Sequence, residues 1–107
     1  GMARAMGLAL TATALSAAEA VACGLIWKSH ADAALLPAAQ ELTAKLASGP
    51  TTAFAATKML MQHAASTDFD THLALEAGTQ KSCAESDDYS EGVEAFLQKR
   101  AAKFTGS

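Results

Sequence analysis

The stretch Glu91 to Phe104, EGVEAFLQKRAAKF, passes from acid to base along its length. Ser86 stands where a helix N-cap belongs, and Asp87, Asp88 and Glu91 follow near the positive N-terminal end. Lys99 and Arg100 fall near the negative C-terminal end. Tyr89, Val93, Phe96 and Arg100 share one helical face at i, i+4, i+7 and i+11. Gly92 inside the pattern costs about 1 kcal/mol relative to alanine, which predicts a close crossing against another backbone. The stretch reads as a terminal amphipathic helix, so the question is whether the segments before it are helical too.

They are. Thr51–His63 carries Phe54, Thr57 and Met61 along one stripe, with Leu60 beside it. Asp68 or Asp70 caps a helix that places Phe69, Leu73 and Ala77 inward and Glu76 and Lys81 outward. Another helix begins near Asp32, bears Leu35, Leu42 and Leu46, and stops at Gly49-Pro50; Pro37 kinks it or marks its first turn. Nearer the start, Ser16-Ala-Ala-Glu19 is a capping box and Gly24 a C-terminal stop. Leu25-Ile26-Trp27-Lys28 reads as an extended, largely buried connector. Residues 3–10 read as the end of a helix. The expected fold is all-α, with five to six helices in one region spanning residues 1–107.

Composition limits the function. The 107 residues carry a net charge of -3, and about a quarter are alanine, which forms helix well but buries little area per side chain. An acidic chain without a basic stripe is unsuited to general nucleic-acid binding, and no membrane span is expected. Arg4 and the run before Cys23 loosely mimic a secretory signal, but Glu19 and the capping box favour a helix there. Two cysteines without CxxC spacing read as reduced thiols, implying a cytoplasmic protein.

Catalytic material is scarce. His30, His63 and His72 are scattered, and His72 with Glu76 supplies two metal ligands at most, so no metal site is expected. The pairs Asp68/Asp70 and Asp87/Asp88 lie where helix starts favour acids, and capping explains them. No catalytic residue is assigned.

The order ARAMGLALTATALSAAEAVACGLIW, a leucine-bearing helix, ASGPT, ATKML and finally SDDYSEGVEAFLQKRAAKFTG resembles the C-terminal part of the enoyl-CoA hydratase/isomerase (crotonase) superfamily. GLIW and the ending AFLQKRAAKFTG look most like its ring-epoxide isomerases of phenylacetyl-CoA degradation. The resemblance implies a fragment lacking the family's N-terminal ββα spiral domain and inactive alone, its parent acting on acyl-CoA with no tightly bound cofactor. It also implies self-association as a dimer or trimer. In the AFxxKR motif it assigns Phe96 and Lys99 to the adenine and ribose 3′-phosphate end of coenzyme A. Arg100 and Lys103 would supplement the field, with Lys58 and Phe104 as weaker candidates. Residue chemistry alone leaves Phe96 as a packing group and Lys99 and Arg100 as complements to the helix dipole. A self-standing helical oligomerisation module is the alternative from another class.

Overall fold

The computed structural model describes residues 1–107. It contains six helices and no strand: α1 Met2–Thr11, α2 Ala17–Ala22, α3 Asp32–Ala47, α4 Thr51–Ala64, α5 Phe69–Ala84 and α6 Asp87–Leu97. The chain divides after Ala39, within α3, into two compact units.

In the first unit the capping box forms as the sequence predicts. The Glu19 amide donates to Ser16 Oγ at 3.2 Å, and the Ser16 amide donates to Glu19 Oε2 at 2.9 Å. The Ser16 hydroxyl, donating to Glu19 Oε2 at 2.6 Å, and then the Ser16 amide hold the Glu19 carboxyl below its ordinary range. Gly24, at φ 73°, ends α2 in the left-handed conformation. Its amide donates to the Val21 carbonyl and that of Leu25 to the Ala20 carbonyl, so two orphan acceptors are satisfied. Arg4 of α1 donates to the Cys23 carbonyl at 3.1 Å. The expectation of a buried Leu25–Lys28 connector fails: this segment bends without regular structure, and Trp27 is 71% exposed with the Lys28 ammonium over its ring. Too few apolar groups of this small unit reach the connector to cover it. Pro37 lies inside α3 and not in its first turn.

In the second unit α4 packs on α5, and α5 on α6. Small side chains permit this: Ala53 and Ala56 are half-buried, and Ala95 is buried to 2% exposure. The Phe54 ring folds back over Gly49, where a Cβ would stand 2.5 Å from it. Asp68 caps α5 by accepting from the Thr71 amide at 3.0 Å, and Ser86 caps α6 by accepting from the Tyr89 amide at 3.1 Å.

The inward face of α5 is not the one expected. Phe69 and Leu73 point to solvent, whereas His72, Leu75, Glu76, Thr79 and Cys83 are the half-covered residues. Apolar residues lie around much of this helix, so periodicity cannot choose its face; the close approach of α4 and α6 does.

Beyond α6 the chain doubles back. Residues 101–107 run without regular structure along the helix they have just left. The Asp88 carboxylate accepts from the Thr105 amide at 2.7 Å and the Gly106 amide at 2.9 Å, and the Asp88 amide donates to the Ser107 carbonyl at 3.0 Å. Thr52 of α4 donates its hydroxyl to the Gly106 carbonyl at 2.8 Å. These bonds fasten the tail to α6 and α4.

Candidate functional site

Helix α6 ends three residues before Arg100, which the spacing had placed on its face. Leu97 is its last residue and Gln98 its C-cap, and Lys99 turns left-handed at φ 54°. The Lys99 amide donates to the Phe96 carbonyl at 3.2 Å, and the Arg100 amide donates to the Ala95 carbonyl at 3.0 Å. This is the paired C-terminal cap usually made by glycine, here with a side chain at the left-handed position. Arg100 therefore does not lie on the helical face of Tyr89, Val93 and Phe96, as the spacing predicted.

The turn separates the two cations. The Arg100 guanidinium swings back onto Glu91, with Nη1 at 2.6 Å from Oε1 and Nη2 at 2.8 Å from Oε2. Glu91 also accepts from the Lys103 amide at 2.7 Å. Those bonds, with the Arg100 hydrogen bond foremost, hold the Glu91 carboxyl down to about 2. Arg100 is thus engaged within the chain, and the supplementary role expected of it is not open in this arrangement. Lys99 makes no ion pair and leaves its ammonium to solvent.

Phe96 is 81% exposed, which removes the view of it as a packing residue within this chain. It stands at the edge of an apolar groove of about 400 Å³, lined also by Pro50, Ala53, Tyr89, Val93 and Phe104. Gly92 lies against Phe104 and not against a second backbone: a Cβ there would sit 3.6 Å from the ring, in ordinary contact. Phe104 is half-buried and forms a wall of the groove.

Sequence reasoning missed Asp88, Glu91 and Thr105 as the fastening of this wall. Asp88 suits the helix start by its position, yet at 4% exposure it serves the tail amides. The available signal was the hydrogen-bonding need of a terminal segment rich in backbone donors, which no helical spacing rule detects. His72 and Glu76 do line one groove between α4 and α5, but no three metal-ligating side chains come together. No helix is long and apolar enough to cross a membrane.

Residues 1–107 match the family model described as enoyl-CoA hydratase/isomerase. A probable enoyl-CoA hydratase of Rhodobacter capsulatus is 45% identical over 106 residues, covering 99% of this chain and 41% of that protein. The 1,2-epoxyphenylacetyl-CoA isomerase of Escherichia coli is 44% identical, covering 99% and 40%. Among solved structures, an enoyl-CoA hydratase of Mycobacterium marinum superposes with TM-score 0.88 at 35% identity, covering 98% of this chain and 42% of the other. Subunit I of a Geobacillus kaustophilus enoyl-CoA hydratase gives 0.92 at 28% identity, covering 97% and 40%. The chain thus spans about 40% of the length of the relatives it matches. The match along its whole length shows that the chain belongs to the enoyl-CoA hydratase/isomerase family.

Proposed function

We propose that these 107 residues form the helical region of an acyl-CoA hydratase or isomerase, packing subunits together and covering the nucleotide end of coenzyme A without being catalytic alone. Phe96 and Lys99 meet the adenine and the ribose 3′-phosphate. The observation that carries this reading is the division of the terminal motif: Arg100 is occupied by Glu91, while Phe96 and Lys99 remain presented to solvent. An exposed aromatic face packs a purine well, and a flexible ammonium meets phosphate as a point charge. The intact enzyme uses a CoA thioester as substrate, needs no tightly bound cofactor and works as a cytoplasmic homo-oligomer, a dimer or trimer.

Nearly equal identities to a hydratase and to an epoxide isomerase support the reaction family more than either member. Phenylacetate catabolism is the narrower version of the proposal. Titration calorimetry of coenzyme A and its 3′-dephospho form against wild type and Lys99→Ala tests the site. Lys99→Ala weakens the phosphorylated ligand selectively; equal weakening of both, or no change, would assign Lys99 to the helix end alone.

A second reading, a helical oligomerisation module without enzymatic activity, is favoured by exposed apolar side chains such as Leu35, Leu46, Met61 and Phe69. Large apolar surfaces of this kind mark association sites. CoA binding that Lys99→Ala weakens more than binding of the 3′-dephospho form separates the first reading from the second.

A further inference from the structure

Asp88 and Glu91 stand three residues apart on α6, one turn of helix, and both carboxylates are spent on the returning tail. Asp88 is buried and accepts from two successive amides, those of Thr105 and Gly106. Glu91 accepts from Arg100 at the start of the return and from the Lys103 amide further along it. The only residue between these two attachments is Phe104, whose ring lies against Gly92 and lines the apolar groove. A carboxylate accepting several N–H bonds makes a strong, directional anchor. Two such anchors on either side of one residue leave its backbone little freedom.

We propose that residues 101–107 are a latched strap, with Asp88 and Glu91 as its two catches, that holds Phe104 as a wall of the groove and so shapes the groove for one ligand. The strap itself stands on the geometry above. That the admitted ligand is the nucleotide end of a CoA thioester rests on the function proposed above. Asp88 and Glu91 are positioning residues: they act on the groove through the tail and need not touch a ligand.

The 107-residue chain carrying 4-fluorophenylalanine at position 104 reads the strap directly by fluorine NMR. In the wild-type background the signal is expected to be displaced from that of free 4-fluorophenylalanine. Glu91→Gln and Asp88→Ala should each move it towards the free value while helical circular dichroism is retained. Exchange of the Thr105 and Gly106 amides should accelerate by about tenfold or more in Asp88→Ala, as expected when a charge-assisted bond is lost. If Asp88→Ala loses helix, Glu91→Gln decides, since its side chain is partly solvated and removal of its charge leaves the α6 cap intact. An unmoved fluorine signal in Glu91→Gln would overturn the inference. Addition of coenzyme A provides a separate arm: a displaced signal that responds to both variants but not to the nucleotide leaves the strap standing and removes the CoA reading.

Discussion

Arg100 reaches nine residues back along the chain to Glu91 and meets it with both terminal nitrogens, at 2.6 and 2.8 Å. This paired geometry orients the guanidinium as well as attracting it, and it joins the end of the helical turn to the middle of the helix. Exposed ion pairs contribute little by themselves. The importance of this one lies in the direction it gives the chain.

The pair sets an acid dependence. Glu91 is held down to about 2 from an ordinary value of 4.5, by the Arg100 and Lys103 hydrogen bonds first and by their charges second. A depressed carboxyl contributes stability that is present above its unfolded value and lost as pH falls through its folded value. The contribution should therefore decline from about pH 4.5 and vanish near pH 2. Carboxyl-carbon NMR of Glu91 is expected to titrate near the lower figure and return to an ordinary midpoint in Arg100→Ala. Asp87, Asp88 and Lys103 line the same polar groove and must be followed in the same titration. An ordinary Glu91 midpoint in wild type would show that the pair does not persist in solution.

Lys99 offers a separation of stability from recognition. Its left-handed backbone is costly for any residue with a Cβ, so Lys99→Gly should raise unfolding stability by about 1 kcal/mol in urea titrations. Lys99→Ala keeps the Cβ and should leave stability nearly unchanged. Both remove the ammonium, and both should lose the 3′-phosphate preference if the proposed site is right. A destabilised Lys99→Gly chain would contradict the turn geometry.

Ser86 couples α5 to α6: its hydroxyl accepts from the Tyr89 amide and donates to the Cys83 carbonyl at 2.7 Å. Ser86→Ala should cost about 1 kcal/mol, the usual loss for an N-cap. Urea unfolding measures the loss, and Ser86→Asp should recover part of it because the carboxylate also caps and suits the helix start.

Self-association is expected because many large apolar side chains lie open, among them Met61 and Phe69. Light scattering at micromolar concentration should show a dimer or larger species, and Phe69→Glu or Met61→Glu should shift it towards the monomer. A wild-type chain that stays at 10.9 kDa would count against both the packing role and the module reading.

Assays with crotonyl-CoA should show no turnover by the 107-residue chain. Its buried carboxylate, Asp88, is fully engaged with tail amides, and Glu91 is tied to Arg100. Neither is placed to exchange a proton with a substrate in this arrangement. Turnover above that of a chain carrying Asp88→Ala would reverse this assignment.

The local signals were legible in the sequence because their physics is local. Ser16, Asp68 and Ser86 each satisfy an amide three residues on, and Gly24 takes a conformation that other residues resist. The choice of face on α5 was not legible, since Phe69, Leu73 and Leu75 do not form one stripe and neighbouring helices decide among them. Resemblance alone points to Phe96 and Lys99; their exposure is a property of the fold that charge spacing could not give. The engagement of Asp88 and Glu91 by the tail is nonlocal, with the Gly106 amide 18 residues from the Asp88 carboxylate that accepts from it. No periodicity records such a contact.

Because Lys99 is left-handed, two neighbouring cations of equal charge leave the helix with different destinies. Net charge, composition and isoelectric point would all survive an exchange of their order from Lys-Arg to Arg-Lys. The fork-shaped group would then stand at the outward position, and the single ammonium would face a carboxylate arranged for two parallel bonds. In this short segment the order of like charges is itself information, written in the handedness of one residue.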